Sequence, residues 1–120
     1  MSIISWPLDK WLDNVALAAL SSKETLLATF DLARNVIERG IPGDFVECGV
    51  FGWAQCAAMA RALMGPNWKG GPIHGTLTRR VHLFDSFQGI PASGEHDAEW
   101  THAPGVSICT LEAVKDHMTE

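Results

Sequence analysis

Two carboxylates and a glycine turn carry the chemistry that this sequence can do. Residues 43–54 read Gly-Asp-Phe-Val-Glu-Cys-Gly-Val-Phe-Gly-Trp-Ala. Glu47 lies inside an apolar run, where an unpaired charge is costly, so it should either order the neighbouring turn or receive a cationic group of a ligand. Gly49 and Gly52 permit tight backbone and close approach that other residues resist. Residues 80–91 read Arg-Val-His-Leu-Phe-Asp-Ser-Phe-Gln-Gly-Ile-Pro and place Asp85 at the end of a second apolar run. A carboxylate there can accept two hydrogen bonds from ribose hydroxyls, and the glycine turn lets a ligand touch main chain. The sum fits an adenosine-containing cofactor, although many α/β proteins place glycines and acids in these positions.

Other chemistries are excluded or left without support. The spacing G-x-G-x-x-G is absent, and the interval from Gly49 to Asp85 exceeds the usual distance of about 20 residues in a nicotinamide fingerprint. No Gly-Lys-Ser/Thr follows the first apolar run, which removes a Walker loop, and residues 49–53 contain no serine for a nucleophile elbow. The cluster Glu95, His96, Asp97, Glu99 and His102 matches no metal motif and reads as a solvated loop. No metal ligand and no catalytic residue is assigned. His74 reads as solvent-exposed, and Arg79-Arg80 as a solvated start to a strand. The net charge of −5 argues against binding a phosphate backbone, so no nucleic-acid partner is expected.

The elements that must position these residues follow from periodicity. Residues 7–20 read as a helix, with Leu8, Leu12, Val15 and Ala19 at helical spacing and Pro7 in the first turn. Trp6 and Trp11 flank it as packing anchors. Ser21 and Glu24 have capping-box spacing and open a second helix whose stripe is Leu26, Phe30, Ala33 and Ile37. Gly40 and Pro42 end it. Phe45, Val46 and Val50 then suit a buried strand, and residues 54–64 an alanine-rich helix with Met59, Leu63 and Met64 as core. A Gly- and Pro-rich loop, 65–78, leads to a second strand at 80–85. Residues 88–107 are loop, and Thr110 caps a last helix with Leu111, Val114 and Met118 on one face. Strand, helix and strand in this order imply a parallel pair with a right-handed crossover, which brings Glu47, Gly49 and Asp85 to one crevice.

At 120 residues, 47% apolar and 19% charged, the chain suits one small globular domain. Three cysteines without CxxC spacing suggest a reducing compartment. Asp9 and Lys10 follow Trp6-Pro7-Leu8 too closely for a signal peptide, and the run 15–20 is too short to span a bilayer. The expectation is a cytoplasmic protein with no membrane partner.

The motif Gly-Asp-Phe-Val-Glu-Cys-Gly-Val, followed by Asp-Ser-Phe-Gln-Gly-Ile-Pro, resembles the macrocin O-methyltransferase family over roughly residues 24–120. Gly40-Ile41-Pro42-Gly43 before it is similar too. The resemblance implies an α/β, Rossmann-like class I methyltransferase fold of which this chain is the amino-terminal half: two helices over residues 1–42, then a βαβ unit within 43–120. It implies S-adenosylmethionine as cofactor and methyl transfer to a sugar or other small-molecule hydroxyl. Carried over, Glu47, Cys48, Gly49 and Val50 form the first cofactor motif, with Gly49 against the methionine part, and Gly52 is expected to shift the tight bend one residue to make up for Trp53. Asp85 binds the ribose, Ser86 and Phe87 flank the adenosine, and the loop after Pro91 approaches the acceptor. The sequence departs from the family at Trp53, where the family has a glycine. The catalytic base, and ligands for Mg or another divalent metal, come from the half not seen here.

A different class of function also fits. Two parallel strands leave edges and one face uncovered, so the chain reads alternatively as a non-catalytic nucleotide-binding or subunit-interaction module. The same exposed edge predicts marginal stability and a tendency to form homo-oligomers.

Overall fold

The computed structural model describes residues 6–17, 19–65, 79–97, 104–105 and 109–119, with side chains of the last helix described to Asp116. In chain order the elements are α1 (Leu8–Leu17), α2 (Lys23–Glu38), β1 (Phe45–Cys48), α3 (Ala54–Met64), β2 (Val81–Phe84) and α4 (Leu111–Thr119), with a short 3-10 turn at Glu95–Asp97. Residues 66–78 of the expected loop, with His74, and Glu99 and His102 lie outside the described residues.

The first helix is shorter than its periodicity suggests. Trp11 N–H donates to the Pro7 carbonyl at 3.0 Å, which opens α1, and the helix stops at Leu17. Trp11, Leu12 and Val15 are its buried face, so Trp11 is a packing anchor. Trp6 is half-buried, with the Lys10 ammonium 4.2 Å from its ring centroid. The cap of α2 is Ser22, not Ser21. Ser22 is extended, at φ −69° and ψ 162°, and its hydroxyl accepts from Thr25 N–H at 3.2 Å. The Ser21 hydroxyl instead accepts from Gln55 Nε2 at 2.9 Å, a tertiary contact that competes with capping. The helix ends as expected: Gly40 has φ 64°, its N–H reaches the Ile37 carbonyl, and Ile41 N–H reaches that of Val36. That paired closure satisfies two carbonyls left over by the last turn.

The two strands are parallel and pair Phe45 with Val81, Val46 with His82, Glu47 with Leu83 and Cys48 with Phe84. Side chains alternate across a strand. Phe45, Val81 and Leu83 therefore pack towards the helices, while Val46 and Phe84 stand 55% and 59% exposed. The expectation of a buried first strand is corrected: only one face is covered. Val50 lies beyond the strand, in the turn, and is buried there.

The core sits between the helices rather than on the sheet. Trp11, Leu12 and Val15 of α1, Leu26 of α2, Val114 of α4, and Val50, Trp53, Ala54, Cys56, Ala57 and Ala58 form one buried cluster. The face that α3 buries is small: Ala54, Cys56, Ala57, Ala58 and Ala62, with Arg61. Leu63 and Met64 are only half-buried, so the core role expected of them falls to the alanines. Small residues let α2 and β1 approach α3 closely. Arg61 is fully buried and donates from Nη1 to the Gly65 carbonyl at 2.7 Å, closing the end of its own helix.

The start of β1 is held from the start of β2. Arg79 donates to the carbonyls of Gly43 (2.8 Å) and Ile41, and its guanidinium lies 5.9 Å from the Phe45 ring centroid. Asp44 accepts from Arg80 N–H at 3.0 Å and pairs with His82 Nε2 at 2.7 Å. The His82 contact, then the Arg80 amide, hold the Asp44 carboxyl below its ordinary range. Arg79 is thus a clamp rather than a merely solvated residue.

Candidate functional site

Parallel pairing puts the carboxyl ends of β1 and β2 side by side, and the turns that follow them meet there. Gly49 N–H donates to the Phe84 carbonyl at 2.8 Å, extending the ladder by one bond. Asp85 then binds the turn that leads into α3. Its Oδ2 accepts from Val50 N–H at 2.7 Å and from Phe51 N–H at 3.2 Å. Its Oδ1 accepts from Phe87 N–H at 2.8 Å. These amides, Phe87 first, hold the carboxyl below its ordinary range.

The turn between β1 and α3 is strained. Gly49, Phe51 and Trp53 all have positive φ, at 88°, 46° and 78°. Only glycine adopts such angles without cost. The expectation that Gly52 takes the tight bend is corrected, because the positive angles fall on its neighbours Phe51 and Trp53. Phe87, in the turn after β2, also has positive φ, at 56°. The Ser86 hydroxyl accepts from Gln88 N–H at 3.2 Å and so shapes that same turn. Strain of this kind persists where the surroundings fix it, and it clusters at ligand sites.

Two clefts share the Gly49 and Phe51 part of this turn. One, of about 140 Å³, is lined by Glu47, Gly49, Gly52 and Gln55 beneath Leu20 and Ser21. The other, of about 290 Å³, is lined by Gly49, Phe51, Asp85, Gly89 and Ile90, again with Leu20. A Cβ built on Gly49 meets no protein atom within 4 Å, so the space before this backbone is open. Of the residues expected at the site, Glu47, Gly49, Val50, Gly52 and Asp85 come together here. Cys48, Ser86 and Phe87 line neither cleft, and Cys48 is exposed. Leu20, Phe51, Gln55 and Ile90 join the site without having been expected there. The one available signal was Gln55, the lone amide in an alanine helix.

Glu47 is half-buried, and burial raises its carboxyl above the ordinary range, with the nearby Asp85 charge adding to the rise. The Cys56 thiol donates to Glu47 Oε2 at 2.5 Å. Burial first, then this carboxylate, raise the thiol strongly, so Cys56 stays protonated and inert. The consequence for pH is definite. A carboxyl raised in the folded state supports stability below its unfolded pKa and loses that support as pH rises through the folded one. Glu47→Gln keeps an acceptor for the thiol and removes the ionisation. Its unfolding free energy, followed by urea titration, is expected to lose the wild-type decline above pH 4.5.

Glu95–Asp97 forms a short turn in which Asp97 accepts from Gly94 N–H at 2.8 Å and His96 pairs with Glu95 at 3.2 Å, both largely in solvent. Among the described residues no three His, Cys, Asp or Glu side chains converge as metal ligands. Among them, too, no helix is long and apolar enough to cross a membrane.

A 61-residue segment is 39% identical to the demethyldecarbamoylnovobiocin O-methyltransferase of Streptomyces niveus, covering 51% of this chain and 20% of that protein. The matched part is thus a small share of that relative's length. No solved structure matches. The family model of the macrocin-O-methyltransferases (TylF) matches residues 15–117, nearly the whole chain. The mixed α/β chain described here belongs to that family of methyltransferases.

Proposed function

We propose that this chain binds S-adenosylmethionine and forms the cofactor-binding part of an O-methyltransferase acting on a small-molecule hydroxyl, a sugar among the candidates. One observation carries the reading: an acid-clamped, open glycine turn stands where two parallel strands end. Open α/β sheets bind ligands outside the carboxyl ends of their strands. The residues fit the cofactor. Gly49 leaves space that a Cβ would fill, Glu47 offers an acid to the cationic methionine end, and Asp85 faces the cleft suited to the ribose. Asp85 already accepts from the turn amides of Val50, Phe51 and Phe87, so it meets the ribose with much of its acceptor capacity taken.

When bound, the cofactor supplies an electrophilic methyl group on a sulfonium. The chain's own residues bind and orient it. The Val50 and Phe51 amides stay fixed by Asp85, so the floor of the site does not reorganise. Glu47 ionises more readily beside a cation, so binding should strengthen as pH rises through its folded range. In this reading residues 1–42 are a helical prelude and 43–120 the first half of a Rossmann-like domain. The base, any divalent metal and most of the acceptor site belong to sequence of the kind that the longer relative carries beyond the matched segment. The exposed sheet face at Val46 and Phe84 supports a second role in the same reading, contact with further strands or with another copy.

Calorimetric titration with S-adenosylhomocysteine tests the proposal. Saturable binding at one site per chain is expected. A folded chain that takes up no S-adenosylhomocysteine would overturn it.

A further inference from the structure

The connection between α1 and α2 lies outside the strand–turn–helix unit, yet it stands over both clefts. Leu20 lines each of them, as do Gly49 and Phe51. Leu20 is also 77% exposed, a large apolar side chain with little protein against it. Its position is not left to chance. The neighbouring Ser21 hydroxyl accepts from Gln55 Nε2 at 2.9 Å, and Gln55 Oε1 accepts from the Thr29 hydroxyl at 2.5 Å. Lys23, the first residue of α2, pairs with Asp9 at 2.7 Å and Asp13 at 2.6 Å on α1. Hydrogen bonds from α3 and α2, and ion pairs to α1, thus fix the connection from three helices.

Both clefts are lined by Leu20, Gly49 and Phe51, so a ligand that spans them lies against all three. We propose that Leu20 is a positioning residue that packs over the middle of an adenosyl thioether or sulfonium ligand, making the α1–α2 connection the roof of the site. The inference rests on the cofactor reading above and adds to it a residue that no strand-end motif contains. Leu20 covers ligand surface that otherwise faces water, and a ligand gains affinity in proportion to apolar area so covered. Ser21 and Gln55 hold the roof at its height and need not touch the ligand.

The test compares S-adenosylhomocysteine binding by calorimetry in the wild-type chain, Leu20→Ser, Leu20→Met and Leu17→Ser. Leu17 is 87% exposed and lines neither cleft, so it controls for loss of a surface leucine. The expected result is about a tenfold loss of affinity in Leu20→Ser, recovery in Leu20→Met, and no change in Leu17→Ser. Equal affinity in Leu20→Ser and wild type would overturn the roof while leaving the cofactor reading intact. No binding by the wild-type chain would overturn both. Should Leu20→Ser melt early, Leu20→Ala carries the same comparison, and wild-type affinity there overturns the roof.

Discussion

Asp85→Ala is expected to abolish S-adenosylhomocysteine binding and to lower the stability of the chain. The carboxylate accepts from Val50, Phe51 and Phe87 N–H groups, and alanine leaves all three amides to water or to nothing. A hydrogen bond to a charged acceptor contributes about 1.5–3 kcal/mol. Solvent reaches part of this site and can replace part of the loss, so the total is expected near about 2–3 kcal/mol. Binding suffers more than stability, because the turn loses its fixed floor and the ligand loses its ribose acceptor. The pH dependence has a sign. The Asp85 carboxyl is held below its ordinary value of 3.8 in the folded chain. Its stabilisation is therefore complete above that value and is lost as pH falls through the lower, folded one. Urea titrations between neutral and acid pH should show Asp85→Ala less stable at neutrality and converging on wild type in acid. A constant gap down the acid limb would mean that the amides, not the charge, hold the turn elsewhere.

Trp53→Gly is expected to destabilise the chain even though it relieves strain. Trp53 has φ 78°, a left-handed angle that costs a side-chain-bearing residue about 1–2 kcal/mol. Glycine removes that cost. Trp53 is also only 8% exposed and packs in the main buried cluster, and emptying such a site costs about 3–5 kcal/mol. The packing loss exceeds the strain relief, so a net loss of about 1–4 kcal/mol is expected as a lower urea midpoint. A midpoint at or above wild type would show that the indole contributes little and that the turn prefers the glycine which the resemblance led one to expect.

How far the sequence reveals this fold depends on whether a signal is local. The alanine-rich helix at Ala54–Met64, the Gly40 stop and the Thr110 cap are legible because each rests on neighbours a few residues away. The order of strand, helix and strand is legible for the same reason. The cap is not legible, because the adjacent Ser21 and Ser22 offer equal caps and Ser21 is engaged by Gln55, more than thirty residues off. Val46 reads as buried because apolar character alone does not tell a strand covered on two faces from one covered on one. Nothing in Phe51 or Trp53 announces a positive φ, since aromatic residues are poor candidates for it. At the site, the acids and glycines were readable by type. Leu20, Gln55 and Ile90 were not, because they reach the crevice through packing of separate elements.

The most direct test of the central claim is a titration of the chain with S-adenosylhomocysteine, followed by the chemical shifts of its backbone amides. The account predicts that Gly49, Val50, Phe51 and Phe87 move most, since their amides line or brace the turn that the two clefts share. It would be contradicted by shifts centred instead on the apolar groove of about 260 Å³ between Leu32, Val36, Phe45 and Met59, or by no shifts in a folded chain.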